Sequence, residues 1–172
     1  MIKLLFICYG NICRSPMSEF VMKDMALKEG YSVRGLVGAR EDADFDIASA
    51  ATSREEIGNP IYPPARKKLA EHGIGTSDNE LGVAQKTARQ MTLTDYDYYD
   101  VIICMDRLTL DRAKRIANGD PENKITMLLD YTDRAGDEVA DPWYTGDFDA
   151  TWDDVISGCK GIIKHINESE GI

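Results

Sequence analysis

Apolar runs of strand length alternate along the chain with segments in which apolar residues recur at helical spacing. The pattern predicts strands at residues 3–7, 46–51, 100–105 and 124–129. It predicts helices at residues 17–29, 63–72, 109–117 and 151–167. Strands separated by helices favour an α/β architecture, with a mostly parallel sheet and helices on both of its faces. Such folds bind ligands at the carboxyl ends of their strands.

One segment, Cys8-Tyr9-Gly10-Asn11-Ile12-Cys13-Arg14-Ser15, follows the first strand and precedes Pro16, which opens the first helical pattern. At a helix N-terminus the backbone N–H groups lack helical partners, and the helix dipole adds roughly half a positive charge. Gly10 and Asn11 adopt positive φ at low cost, which lets successive N–H groups face one ligand. Residues 8–15 therefore predict a binding loop for phosphate or another oxyanion.

Cys8 and Arg14 add chemistry to this loop. The N–H groups and the guanidinium favour the thiolate form of Cys8, which is the nucleophilic form. Arg14 can hold two phosphoryl oxygens as a planar fork, and Ser15 can donate a hydrogen bond to the sulfur. A lone Cys at a strand end is more often a buried apolar residue. A Cys followed by five residues, Arg and Ser, between a strand and a helix, favours phosphate chemistry instead.

Composition and charge narrow the class of protein. The 172 residues, 43% hydrophobic and 29% charged, suit one globular domain spanning 1–172. No apolar stretch approaches the ~18 residues of a membrane span. The four cysteines lack the spacing of a disulfide scaffold, and no signal-peptide pattern is visible, so we expect a cytoplasmic location. A net charge of −10 argues against nucleic acid and anionic membranes as partners, and favours a basic or mixed-charge protein.

A cysteinyl-phosphate route also needs an acid for the leaving oxygen and then a base for water. The candidate is Asp141, in the run Ala140-Asp141-Pro142-Trp143-Tyr144. Trp143 and Tyr144 could wall a flat substrate and exclude water, which favours a protonated carboxyl. The alternative interpretation is an ordinary Asp-Pro turn.

Together these two segments resemble the low-molecular-weight protein tyrosine phosphatase family in its bacterial form. The resemblance covers essentially the whole chain, through Ser49-Ala50-Ala51-Thr52-Ser53, Gly58-Asn59-Pro60, His72-Gly73-Ile74, Ala88-Arg89-Gln90 and Cys104-Met105-Asp106. It implies a three-layer Rossmann-like fold with a four-stranded parallel sheet. It implies Cys8 as nucleophile, Arg14 as phosphate clamp and Asp141 as acid and then base. It further implies residues that brace the loop, namely Asn11, Ser15, Ser49 and His72, and no metal or cofactor.

The resemblance implies a tyrosine-phosphorylated protein as substrate. We expect the pocket walls to be Tyr9, Glu55, Trp143 and Tyr144. The family usually has an aromatic after the second strand, where this chain has Arg54-Glu55-Glu56, so we expect that side to be open and acidic. Relatives that resemble phosphoarginine phosphatases tend to carry Thr at position 12, so Ile12 favours phosphotyrosine.

Cys13 has two interpretations. In the family, the second loop cysteine can form a disulfide with the nucleophile, which would make Cys8 and Cys13 a protective redox pair. Alternatively, Cys13 contributes only its backbone N–H.

Two other functions stay open at this point. A thiol-linked arsenate reductase shares the cysteine loop, and Cys104 matches its next redox cysteine, but residues 106–111 lack the further partner. A phosphoprotein-binding module would be expected to lack Cys8 or Asp141.

The sequence says less about the oligomeric state and about the tyrosine cluster. We expect a monomer or weak dimer. The residues Tyr96, Tyr98 and Tyr99 are predicted to lead into a strand, and their regulatory phosphorylation is a hypothesis.

Overall fold

Four strands form one parallel sheet in the computed structural model, which describes residues 1–36 and 38–169. They are β1 (Ile2–Cys8), β2 (Phe45–Ala51), β3 (Val101–Cys104) and β4 (Ile125–Met127), in the spatial order β2-β1-β3-β4. The α-helices of the described residues are α1 (Arg14–Lys28), α2 (Pro63–Glu71), α3 (Leu93–Tyr98), α4 (Arg107–Ile116), α5 (Pro142–Thr145) and α6 (Phe148–Ser169). Short 3-10 helices span Val83–Gln85 and Leu128–Tyr131.

The two faces of the sheet are covered by different helices. Side chains of a strand alternate between faces, so Leu4 and Phe6 of β1 pack with α1, α2 and α6, whereas Leu5 and Ile7 pack with α3 and α4. The predicted α/β class, with a four-stranded parallel sheet between two helical layers, is confirmed. The predicted positions of the four strands and of α1, α2, α4 and α6 are also confirmed, with boundaries shifted by a few residues.

The central strand β1 delivers the cysteine loop to the carboxyl edge of the sheet. It pairs with β2 on one side and β3 on the other, and Cys8 lies opposite Ala51 at the end of β2. Residues that follow β1, β2 and β3 therefore meet at one edge, as expected for a parallel sheet.

The tyrosine cluster leads into β3, as predicted, but it does so from a helix. Tyr96 and Tyr98 lie in α3, Tyr99 and Asp100 connect that helix to Val101 at the start of β3, and Tyr96 and Tyr99 pack in the core on that face of the sheet. The physical reason is a capping box, in which Thr92 and Asp95 exchange side-chain-to-backbone hydrogen bonds and start a helical turn. Tyr96 is 2% exposed, and its hydroxyl donates to Asp120 at 2.7 Å.

Two glycines let α6 approach the chain after β4 very closely. A Cβ atom at Gly158 would lie 2.3 Å from the Leu128 side chain, and one at Gly161 would lie 2.0 Å from the Tyr131 carbonyl oxygen. Both contacts are with the 3-10 helix that precedes the segment carrying Asp141. The close approach therefore helps to fix where that segment begins.

We expect Gly161→Ala to destabilise the protein by about 1–3 kcal/mol, because a backbone atom cannot move aside as a flexible side chain would. This loss of stability is the opposite of the gain of about 1 kcal/mol that a Gly→Ala change usually brings inside a helix. Urea denaturation would measure the change, with the exposed Lys160→Ala of the same helix as control. A variant as stable as wild type would contradict the close packing.

Candidate active site

The cysteine loop folds around the sulfur of Cys8. Asn11 adopts a left-handed backbone conformation, with φ of 60°, and its N–H donates to the Cys8 sulfur at 3.1 Å. Helix α1 begins at Arg14, so residues 8–15 contain the N-terminus of this helix. The 3% exposed Cys8 thus lies where backbone N–H groups and a helix dipole favour negative charge.

Side chains brace the loop from beneath. Asn11 Nδ2 donates to Ser15 Oγ at 2.8 Å and to Ser49 Oγ at 2.9 Å, and Ser15 Oγ lies 3.0 Å from the Cys8 sulfur. Asn11 Oδ1 accepts the Arg89 N–H at 3.3 Å. The structure therefore brings Asn11, Ser15 and Ser49 together, as the resemblance implied.

His72 does not take part, so the prediction that it braces the loop is wrong. It follows the last residue of α2, is exposed, and stacks its imidazole on Trp152 of α6 with ring centroids 4.0 Å apart. Ser49 has a further contact that the sequence did not predict, with Lys86, whose ammonium donates to the Ser49 carbonyl oxygen at 2.8 Å.

Arg14 is a buried cation with fixed partners. It is 2% exposed, and Nη1 donates to Asp106 at 2.6 Å and to the Val139 carbonyl oxygen at 2.9 Å. Burial lowers the pKa of the guanidinium, but the charges of Cys8 and Asp106 outweigh this effect, and the net pKa is raised. Nε has no hydrogen-bond partner among the residues described, so an edge of the fork is left for a ligand.

Asp141 reaches the loop. It caps the short helix α5, since its Oδ1 accepts the Trp143 N–H at 3.1 Å. Its Oδ2 lies 3.3 Å from Arg14 Nη2, and its side chain is 24% exposed. The carboxyl therefore lies between the Arg14 guanidinium and solvent.

The pocket above the sulfur has one aromatic wall. Trp143 packs on Tyr62 with ring centroids 4.7 Å apart, and the Tyr62 N–H donates to the Ile12 carbonyl oxygen at 2.9 Å. Tyr144 also lines the pocket but is 82% exposed. Trp143 is thus the fixed part of this wall and Tyr144 its outer edge.

The opposite wall is acidic, as expected. Glu55 and Glu56 line the pocket, and the Glu56 side chain lies against Gly10, where an added Cβ would be 3.3 Å away. The Tyr9 hydroxyl donates to Glu55 at 2.5 Å, and the Arg112 guanidinium lies 5.1 Å from the Tyr9 ring centroid. The hydrogen bond to Glu55 raises the pKa of Tyr9.

Cys13 and Cys104 differ in their relation to Cys8. Cys13 lines the same pocket and is 4% exposed; burial and the negative charge of Cys8 raise its pKa. Cys104 is fully buried in the core that faces α3 and α4, whereas Cys8 belongs to the core on the other face. Burial also raises the pKa of Cys104.

A sequence model described as "Low molecular weight phosphotyrosine protein phosphatase" matches residues 3–171. The chain belongs to this family, and with it to the hydrolases. The low molecular weight protein-tyrosine-phosphatase YfkJ of Bacillus subtilis is 33% identical over 171 residues, which cover 99% of each chain. The enzyme named PtpA of Staphylococcus aureus is 30% identical over 96% of this chain and 94% of its own.

Solved structures agree with this family assignment. The crystal structure of YfkJ matches with a TM-score of 0.82 at 32% identity, covering 99% of this chain and 97% of that one. A protein tyrosine phosphatase of Entamoeba histolytica, solved with Hepes in its active site, matches with a TM-score of 0.78 at 26% identity over 99% of both chains. A phosphatase of this family implies a phosphoprotein substrate.

Within residues 1–36 and 38–169, no group of three or more His, Cys, Asp or Glu could hold a metal ion. No helix in those ranges is long and apolar enough to cross a membrane.

Several residues of the site carry no motif in the sequence. Asp106 stands in one of the runs that carry the resemblance, but Asp106, Tyr62 and Lys86 are not predicted as site residues, because each reaches the loop from an element far away along the chain. Glu19 is not predicted either, although it lies on α1 close to the loop, where its Oε1 accepts the Ser49 hydroxyl at 2.6 Å.

We expect Asp106→Asn to lower the free energy of unfolding by about 1–3 kcal/mol at neutral pH, because Arg14 loses its charged partner. Burial raises the pKa of Asp106, but the charge and hydrogen bonds of Arg14 and the bonds from Thr109 outweigh it and lower the pKa overall. The stabilisation is therefore present above about pH 4, the ordinary range of Asp, and is lost as pH falls through the lower folded pKa. The difference between wild type and variant should shrink accordingly in acid.

Chemical denaturation at a series of pH values would measure this difference. The control is Asp137→Asn, which removes one side of the exposed ion pair with Arg134 and should leave stability nearly unchanged. A penalty for Asp106→Asn that stays constant into strong acid would show that packing, and not charge, is responsible.

Proposed function

We propose that the protein hydrolyses phosphotyrosine in a protein substrate through a cysteinyl-phosphate intermediate. One observation carries this proposal: the Cys8 sulfur, the Arg14 guanidinium and the Asp141 carboxyl line a single pocket at the N-terminus of α1. The family assignment supports the reaction class, and the three side chains would serve as nucleophile, anion clamp and acid.

Phosphate binding would use the donors that the fold leaves free. Arg14 Nη1 is committed to Asp106 and Val139, so Nε and the remaining Nη2 hydrogen can hold two phosphoryl oxygens. Backbone N–H groups of residues 9–15 would bind the other oxygens. The clamp is already oriented before substrate arrives, which lowers the entropic cost of binding.

The chemistry then proceeds in two displacements. The Cys8 thiolate attacks phosphorus, an S–P bond forms and the bond to the tyrosine oxygen breaks, while Asp141 gives its proton to that oxygen. Asp141 next accepts a proton from water as the water attacks phosphorus, the S–P bond breaks, and phosphate leaves. The Ser15 hydroxyl, 3.0 Å from the sulfur, would stabilise the returning thiolate.

The walls of the pocket favour an aromatic substrate. Trp143 is held on Tyr62 and can pack against a phenyl ring, and the apolar Ile12 lines the same pocket. Glu55 and Glu56 form ion pairs with none of the described residues, so the partner protein should not be strongly acidic around its phosphotyrosine. The thiol chemistry favours a reducing compartment such as the cytoplasm, and we expect the single domain 1–172 to act as a monomer or weak dimer.

The structure favours phosphatase chemistry over a thiol relay. Cys104, the candidate second cysteine of an arsenate reductase, lies on the opposite face of the sheet from Cys8 and is fully buried. A protein that only binds phosphoproteins does not need the Asp141 carboxyl, which lies 3.3 Å from the Arg14 guanidinium.

We expect wild type to release nitrophenol from nitrophenyl phosphate at about pH 6 without added metal, and to dephosphorylate a phosphotyrosine peptide. Cys8→Ser should abolish turnover, and Asp141→Asn should lower it by ~10²–10⁴-fold, the loss typical of a general acid. Asp133→Asn, which changes an exposed carboxylate nearby along the chain, is the matched control.

Stabilisation of Cys8→Ser by inorganic phosphate in a thermal melt would show that the variant is folded and that its loop is intact. An inert wild type, or a Ser variant of equal activity, would refute the proposed reaction. Faster turnover of a phosphoarginine peptide than of its phosphotyrosine counterpart would refute the proposed substrate.

We also propose that Cys13 protects Cys8 from oxidation. Peroxide would convert the Cys8 thiolate to a sulfenic acid, and the Cys13 thiol would attack that sulfur, forming a disulfide and releasing water. Burial raises the pKa of Cys13, and the negative charge on Cys8 raises it further. Oxidation of Cys8 to a neutral sulfenic acid removes the second of these causes and leaves burial, the larger one.

Peroxide treatment followed by dithiothreitol should restore most of the activity of wild type but little of that of Cys13→Ser. The expected reason is over-oxidation of Cys8, which mass spectrometry of its peptide would detect. Equal recovery of the two proteins would contradict the protective role.

A further inference from the structure

A cation without an ionic partner lies at the mouth of the pocket. Arg112 belongs to α4 and is half-buried, and its guanidinium carbon lies 5.1 Å from the centroid of the Tyr9 ring. Tyr9 follows Cys8 directly and lines the pocket. Among the residues that the structure describes, no carboxylate forms an ion pair with Arg112. In a chain with a net charge of −10, this guanidinium is available to an anionic group of a ligand.

Contacts with Tyr9 hold the Arg112 guanidinium in place. The Tyr9 hydroxyl donates to Glu55 at 2.5 Å, which fixes the orientation of the ring. The hydrogen bond to Glu55 raises the pKa of Tyr9, and a hydrogen bond with Arg112 opposes this shift, so the hydroxyl lies near both side chains. A guanidinium over an aromatic ring also gains a cation–π interaction. Because Arg112 is held before a ligand arrives, it loses less side-chain entropy when it binds one.

The rim of the pocket is divided by charge. Glu55 and Glu56 follow β2 and line the pocket, whereas Arg112 comes from α4, which follows β3. The cation of the acidic loop, Arg54, is engaged elsewhere, since its Nε donates to Gln90 at 3.1 Å. Strands β2 and β3 lie on opposite sides of β1 in the sheet. The carboxylates and the guanidinium therefore reach the pocket from opposite sides of the strand that carries Cys8.

The surface beside Arg112 continues along α4. Leu108 lies one turn before Arg112 and is 53% exposed. Residues four apart lie on the same face of a helix, so Leu108 and Arg112 form one strip beside the pocket. An extended peptide advances about 3.3–3.6 Å per residue. Side chains within two positions of a phosphotyrosine in the pocket can therefore reach this strip.

We propose that Arg112 is a specificity-determining residue that binds a Glu or Asp side chain within two positions of the phosphotyrosine, on one side of it only. This inference rests on the proposed function, because it takes phosphotyrosine as the group in the pocket. The carboxylate accepts charge-assisted hydrogen bonds from the guanidinium beside Tyr9. An acidic side chain on the other side of the phosphotyrosine meets Glu55 and Glu56 and is repelled.

The test compares phosphotyrosine peptides that differ by one Gln-to-Glu exchange, at either of the two positions before or the two positions after the phosphotyrosine. The readout is kcat/KM for each Glu peptide divided by kcat/KM for the Gln peptide, so each protein is its own reference. Wild type should prefer Glu on one side by about two- to fivefold, the range for a partly exposed charge pair. Raising the salt from ~0.05 M to ~0.5 M should reduce this preference, because salt screens the pair.

Variants assign the preference to Arg112. Arg112→Gln should abolish the preference for Glu, and Arg112→Glu should replace it with a preference for Lys at the same peptide position. Arg112→Lys keeps the charge without the planar fork and should retain part of the preference for Glu. Arg115→Gln removes an exposed cation from later in the same helix and should keep the full preference. A preference that Arg115→Gln also loses would reflect the overall charge of the protein and would overturn the inference.

Binding of the same peptides to Cys8→Ser protein, measured by fluorescence polarisation, tests the Arg112 contact without turnover. Peptides that wild type does not hydrolyse, but that Cys8→Ser protein binds with the preference for Glu, would contradict the proposed reaction and support the inference. Hydrolysis with no preference for Glu, or with one that Arg112→Gln retains, would contradict the inference alone. Peptides that are neither hydrolysed nor bound would contradict both.

Discussion

The buried guanidinium of Arg14 is the constraint on which the rest of the site depends. It is held by Asp106 after β3, by the Val139 carbonyl oxygen, and by Asp141, whose positions lie 92 to 127 residues away along the chain. A cation this far from water is tolerated only with partners of good geometry. Its burial therefore ties the cysteine loop, the end of β3 and the acid-bearing segment into one arrangement before any substrate binds.

The sheet makes that arrangement possible. Because β1, β2 and β3 are parallel neighbours, the residues after each strand meet at one edge. Cys8 arrives on β1, Asp106 after β3, and Glu55 and Glu56 after β2. Helix α6 packs through Gly158 and Gly161 on the start of the segment that leads to Asp141. Arg14 is thus held by residues that follow β3 and by the segment around Asp141.

Much of this fold could be predicted from local patterns. Strand-length apolar runs and helical spacing located the strands and the long helices, since burial of one face imposes those periods. The loop and Asp141 were predicted from short motifs whose chemistry is local. The structure places Asp141 beside Arg14, but its catalytic role stays a prediction. These local patterns did not reveal contacts between residues that are far apart in the sequence. His72 was expected to brace the loop but stacks on Trp152. Lys86, which the fold brings beneath the loop, contacts Ser49 instead. A capping box begins the helix that contains Tyr96 and Tyr98, and the aromatic content of this segment did not indicate a helix.

The most direct measurement of the central claim is the detection of phosphate on Cys8 itself. Asp141→Asn protein would be mixed with a phosphotyrosine peptide, denatured rapidly in alkali, and digested for mass spectrometry. The cysteinyl-phosphate mechanism predicts one added phosphoryl group on the peptide that carries Cys8, and its absence from Cys8→Ser protein treated in the same way. Turnover of substrate with no phosphoryl group on Cys8, or with the group on another residue, would contradict a cysteinyl-phosphate mechanism.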